Sequence, residues 1–154
     1  MWYKLIEQSN LHLHVFRNEK LFCEVRFSPL SSFSFGFSAV CWDGAEYQLR
    51  SNGFFFWRKL RLFKDGVLVG KFKTNRSLSP AVPVWLDSVG DLYLKDQKFS
   101  HVHKFSRAER KQGLLCQWEC NDDRIEWATI TLVLLSFQNK ATPRVTPLSM
   151  ISWR

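Results

Sequence analysis

The 154-residue chain has no apolar run long enough to cross a membrane as a helix. Its longest, residues 127–137, falls short of the roughly 20 residues a bilayer requires. The opening Met-Trp-Tyr-Lys-Leu-Ile-Glu has no basic segment followed by an apolar one, so no secretory leader is expected. There is no Gly-rich phosphate loop, no Gly-x-Ser-x-Gly and no His-Glu-x-x-His, which removes the local signatures of several enzyme classes. Asp122 and Asp123 fit a helix start better than an acid–base pair. The expectation is a non-enzymatic protein with no cofactor and no bound metal. Acids are also scarce, 14 against 22 Lys and Arg, for a formal net charge of +8. Such an excess speaks to partners and solubility rather than to fold, and it suits anionic membrane surfaces or nucleic acid.

Cysteine is limited to positions 23, 41, 116 and 120. Without a leader, four cysteines read as reduced thiols in a cytoplasmic protein, one that could sit at a membrane periphery. Cys116 and Cys120 are spaced loosely like metal ligands, but no His follows them. Two His-x-His pairs, His12/His14 and His101/His103, would each share one face of a strand. Without an evident carboxylate or Cys partner, they read as polar barrel or surface histidines.

What is abundant is aromatic: 14 Phe, 7 Trp and 3 Tyr, 16 % of the chain. Aromatic and β-branched residues suit half-buried pleated surfaces, so the enrichment predicts sheet. Strands are expected over 2–7, 11–17 and 21–27, the last two forming a hairpin about Asn18-Glu19-Lys20. In 21–27, the alternation places Leu21, Cys23, Val25 and Phe27 on one face. Phe33, Phe35 and Phe37 alternate with small residues in a further strand. Asp43-Gly44, Asn52-Gly53 and Asp65-Gly66 each offer Gly to a two-residue hairpin turn and divide 39–73 into four strands: 39–42, 45–51, 54–64 and 67–73. The third is long for a strand and should bend or carry a bulge. Residues 77–83 read as a loop, 91–95 and 99–105 as strands, 106–112 as a hairpin tip or one helical turn, and 113–120 as the last strand.

Residues 121–140 behave differently. Asn121 or Asp122 can cap a helix, and Asp123 and Glu126 place negative charge in its first turn. The apolar run of 127–137 then has no charge on any face, so the helix must be surrounded. A central strand is the competing reading, but eleven residues after a helix-start signal is long for one. The predicted architecture is mainly β: an antiparallel barrel or roll of about 10–12 strands around a helix at about 123–139. Residues 1–140 form one domain in this reading, and 141–154 an extended tail.

This order resembles the tubby C-terminal and phospholipid scramblase superfamily. The segment Leu62-Phe63-Lys64-Asp65-Gly66-Val67-Leu68-Val69-Gly70-Lys71-Phe72 is similar to a hairpin of its small members, and residues 123–137 to their acidic-led apolar helix. The resemblance covers most of the chain in architecture and about 25 residues in pattern. It implies a β-barrel around a central helix and, in some members, binding of phosphoinositides or other anionic lipids.

The positive charge is concentrated. Residues 50–76 hold eight cations against Asp65 alone. With Asp65-Gly66 as the turn, Arg58 is expected opposite Lys73 and Lys64 opposite Val67, with Lys71 on the face of Arg58, Lys64 and Lys73. Like charges opposed across strands are destabilising, so a strand pair that keeps them fits an anionic partner. The anion-binding candidates are Arg58, Lys59, Arg61, Lys64, Lys71 and Lys73. Phospholipid head groups are the first expected ligand. The alternative is nucleic acid, with aromatics such as Phe54, Phe55, Phe56 and Trp57 as stacking platforms. More often such aromatics simply fill the core. A third reading, a barrel carrier of a small apolar ligand, conflicts with a helix that would fill the cavity.

Overall fold

The computed structural model describes residues 1–27, 36–52, 57–75, 82–94, 99–101 and 105–141. The strands are β1 (Trp2–Ser9), β2 (His12–Arg17), β3 (Lys20–Phe27), β4 (Gly36–Cys41), β5 (Glu46–Asn52), β6 (Trp57–Lys64), β7 (Val67–Asn75), β8 (Val82–Leu86), β9 (Gly90–Leu94), β10 (Phe99–His101) and β11 (Leu114–Glu119). A short helix α1 (Arg107–Lys111) precedes β11, and a 3₁₀ turn (Asp123–Ile125) leads into α2 (Glu126–Ala141). All eleven strands belong to one sheet, ordered β10-β11-β1-β2-β3-β4-β5-β6-β7-β8-β9, and every neighbouring pair is antiparallel.

The mainly β expectation holds, but the closed antiparallel barrel does not: no ladder joins β9 to β10 among the described residues. Ten successive antiparallel steps separate these two edge strands, so they run in the same direction. An antiparallel pairing that closed the sheet is therefore impossible, and a parallel one ordinarily needs a long crossover. Only four residues lie between β9 and β10.

The sheet nevertheless packs around α2 as far as Leu135. Ala128, Ile130, Val133, Leu134 and Leu135 are all at most 2 % exposed, and they share one core with side chains from β1 to β8 and β11. Burial of each larger aliphatic contributes about 1.5–3 kcal/mol. This part of the helix can be enclosed because Thr129 and Thr131 bond to nearby groups. Thr129 donates to the carbonyl of Glu126 at 2.8 Å, and Thr131 to that of Trp127 at 2.7 Å. The indole of Trp118 donates to Thr129 Oγ1 at 3.3 Å. No buried hydroxyl of Thr129 or Thr131 is thus left to oppose an apolar wall.

Local chemistry explains most turns. Asp65 and Gly66 both have positive φ, +48° and +84°, the signature of a two-residue type I′ turn. Asn18 and Glu19 make the same turn without glycine, at +49° and +66°. Asn18 is held by β1, donating its N–H to the Trp2 carbonyl and accepting from the Trp2 N–H. The Asp43-Gly44 site is not a two-residue turn. Gly44 N–H donates to the Cys41 carbonyl and Cys41 N–H to that of Ala45, so the loop is longer and Gly44 alone takes φ +89°. Residues 106–112 form a helical turn, not a hairpin tip, because Ser106 and Glu109 build a capping box. Gly113, at φ +86°, allows a close approach: an added Cβ would lie 2.4 Å from the Glu7 carbonyl oxygen.

Two bulges change which residues face inward. In β3 the register skips Phe22, so Phe22 and Cys23 both point into the core and Leu21 is exposed, against the expected alternation. The bulge expected in the third meander strand falls in β7 instead: Leu62 pairs with Gly70 and Phe63 with Leu68, leaving Val69 over. Pro83, expected in a loop, lies in β8, where it pairs with Tyr93 of β9 beyond the last residue that pairs with β7. Proline is tolerated where a strand lacks a neighbour on one side. Gly53, Phe33, Phe35, Phe54–Phe56 and the 141–154 tail beyond Ala141 lie outside the described residues.

Candidate functional site

The β7 bulge rearranges the predicted basic face. Beyond it, Lys73 pairs with Lys59 and Lys71 with Arg61, while Arg58 pairs with Thr74. Lys64 pairs with Val67 as expected. Arg58 and Lys64 therefore have the register parity of the inward Leu60 and Leu62, and they do not group with Lys71 and Lys73. Lys64 is exposed only because it ends its strand, with Nζ 5.8 Å from the Tyr47 ring centroid.

The four residues that do align extend across more strands than the sequence indicates. Arg50 of β5 pairs with Arg61 of β6, Arg61 with Lys71 of β7, and Lys71 with Trp85 of β8. Arg50, Arg61 and Lys71 are exposed on the outer face, since their neighbours Leu49, Leu62 and Phe72 are buried. Three cations thus stand in one transverse row about 5 Å apart. Lys59 pairs with Lys73 two positions along the ladder from the Arg61–Lys71 pair. Among the described residues, no carboxylate forms an ion pair with Arg50, Arg61, Lys71 or Lys73. What they find instead is aromatic: Arg50 lies 5.0 Å from the Phe63 ring centroid and Lys71 5.2 Å from that of Trp85. Arg50 also donates to Gln48 at 2.7 Å. Sequence reasoning counted Arg50 in the basic stretch but did not select it, because only the β5–β6 register places it in the row.

A second charged group is buried at the start of α2. The Glu126 carboxylate, only 7 % exposed as a residue, accepts from the Tyr3 hydroxyl and from Arg17 Nη1 at 3.0 Å through the same oxygen. Arg17 stacks on Phe22, 4.4 Å from its ring centroid, and Phe22 is the bulge residue of β3. Burial pushes the Tyr3 hydroxyl far up, and its hydrogen bond to Glu126 adds to the effect. For Arg17, burial alone would lower the pKa, but the Glu126 hydrogen bond and charge outweigh it and hold the guanidinium charged. Tyr47, stacked on Trp127 at 3.6 Å, is also pushed up by burial. Each charge here has its partner, and the arrangement fastens α2 to β1 and β2.

The four cysteines are buried and form no disulfide. Cys23 and Cys41 are directly opposed across β3 and β4. Their hydrogen bond holds the Cys41 thiol below its usual value and pushes that of Cys23 up, with burial adding to the latter. Cys120 donates to the Asp122 carbonyl, which ties it to the helix start. Of the histidines, His12 and His14 stand together on the outer side of β2, and Glu24 of β3 faces His14. His103 lies outside the described residues and only the backbone of His101 is described.

The exposed large apolar residues gather elsewhere. Met1, Trp2, Leu21, Val40, Trp42, Val67 and Val89 all lie at or next to the end of the sheet that carries the β2–β3, β4–β5, β6–β7 and β8–β9 turns. Exposed Glu19, Asp43, Asp65 and Asp87 are interleaved there with exposed Lys20 and Lys64, so this rim carries both signs, unlike the basic outer face. No helix among the described residues is long and apolar enough to cross a membrane. The chain matches no family model, no curated protein and no solved structure.

Proposed function

We propose that the chain is a non-enzymatic binding module whose outer basic strands, β5 to β7, engage phospholipid head groups of an anionic surface. The observation that carries this reading is the Arg50–Arg61–Lys71 row, in which each cation faces another across the ladder with no acid paired to it among the described residues. Like-charge cross-strand pairs cost a few tenths to about 1 kcal/mol each. An anionic surface converts that repulsion into attraction of about 1 kcal/mol per basic residue. The tubby-like resemblance favours lipid over other anions. Nucleic acid is the competing ligand, favoured by Trp85, an aromatic beside Lys71 on which a base could stack. An apolar carrier is disfavoured because α2 side chains fill the interior.

The test is co-sedimentation with phosphatidylcholine vesicles with and without phosphatidylserine, beside a single-stranded oligonucleotide assay. Binding is expected only with phosphatidylserine present and should weaken with salt. The triple variant Arg61→Glu, Lys71→Glu, Lys73→Glu should weaken it about 100-fold or more. Equal binding to neutral vesicles, or tight oligonucleotide binding without vesicle binding, would overturn the lipid reading.

A further inference from the structure

We infer that His12, His14 and Glu24 form a binding site for a divalent transition-metal ion, with Zn²⁺ the natural occupant of such a donor set. The two histidines alternate with buried Leu13 and Val15, so both imidazoles leave the same face of β2. Pairing of β2 with β3 places Glu24 directly opposite His14, supplying the carboxylate that the linear sequence does not reveal. One ligand atom from each of the three residues lies within 4.8 Å of the other two. His14 Nε2 is 3.6 Å from Glu24 Oε1, too far for a good hydrogen bond. Tetrahedral zinc, with bonds of about 2.0–2.1 Å, sets its ligand atoms about 3.3 Å apart, so the cluster needs only small side-chain rotations to close on an ion.

The second observation is independent of spacing. The Nε2 atoms of both His12 and His14 are buried and have no hydrogen-bond partner. Buried polar atoms are normally satisfied, and an ion between them would satisfy both at once. Two imidazoles and one carboxylate select a borderline transition metal over Ca²⁺ or Mg²⁺, which prefer all-oxygen shells. Glu24 is half-exposed, so the remaining coordination position opens to solvent. The neighbours on this face are Ile6 and Ser9 from β1, Phe16 on β2, Arg26 on β3, and Ser38 and Val40 on β4. Among the described residues the cations on this face are Arg26, opposite His12, and Lys4, opposite Phe16 and paired with Glu19; their repulsion makes the site an exchangeable one rather than a locked structural centre.

The chelator-treated full chain is titrated with Zn²⁺ by equilibrium dialysis, and with Co²⁺ by visible absorption. One ion per chain is expected, with nitrogen–oxygen coordination and no thiolate charge-transfer band. The double variant His12→Ala, His14→Ala should abolish it. Glu24→Gln, a milder change at an exposed position, should weaken binding by about tenfold or more. The control His101→Ala, His103→Ala should leave binding intact. The inference is overturned by the absence of stoichiometric binding, by a thiolate band, or by binding that survives His12→Ala, His14→Ala.

Discussion

The protein concentrates charge in two places and treats it in opposite ways. At the start of α2, Arg17, Glu126 and Tyr3 are brought together from separate elements so that each charge meets a partner. On the outer face of β5 to β7, Arg50, Arg61 and Lys71 are held in register with each other and with no acid among the described residues. The first arrangement is what folding requires, since a buried charge without a partner is strongly destabilising. The second is what folding would avoid, since the same strands could carry alternating signs at no structural cost. The β1–β3 side of the same outer face shows that they can: Lys4 pairs with Glu19 at 2.6 Å and Glu24 faces His14. Charge that is matched serves the fold, and charge left unmatched on a rigid sheet is available to a partner.

This contrast predicts that changes in the two regions affect different measurements. Arg17→Ala leaves the Glu126 carboxylate in the core with Tyr3 alone and should destabilise the chain by about 3 kcal/mol in denaturant unfolding, leaving vesicle binding of the folded protein unchanged. A loss of binding at full stability would dissolve the distinction. Next in size is an alkaline effect. Tyr3 and Tyr47 keep their protons more tightly folded than unfolded. Their contribution is therefore intact below the unfolded value near pH 10 and falls above it by about 1.4 kcal/mol per pH unit for each tyrosine. Tyr3→Phe should remove one proton from that slope; an unaltered slope in unfolding curves taken from pH 9 to 11 would contradict the buried cluster. The smallest effect is expected at the row itself. Arg61→Gln removes two like-charge contacts and should raise stability by a few tenths of a kcal/mol. A clear fall would mean that Arg61 is matched after all.

Much of the fold was legible because it is locally encoded. Asp65-Gly66 names its turn type, and Asp122 to Glu126 announces a helix whose uncharged continuation requires enclosure. Bulges were not legible, because a single extra residue such as Phe22 or Val69 leaves the composition unchanged while shifting every later pairing by one. That shift is why Arg58 was grouped with Lys73 and why Lys59 and Arg61 take its place. Strand β8 was hidden by Pro83, a breaker that survives only through a one-sided position no sequence pattern reveals. The Glu126 cluster and the Glu24 partner of His14 share another cause. Both join residues through tertiary pairing, and neither leaves a spacing in the chain. Open edges were missed for a topological reason, the parity of eleven strands, which counting 10–12 could not decide.

The most direct test of the central claim is Arg61→Glu, followed in one sample by thermal unfolding and phosphatidylserine-vesicle binding. The substitution turns the row into alternating charges, Arg50, Glu and Lys71. Opposite responses are expected: stability rises by up to about 1 kcal/mol, and vesicle affinity falls by about tenfold or more. Binding that is unchanged, or stability and binding that fall together, would contradict it.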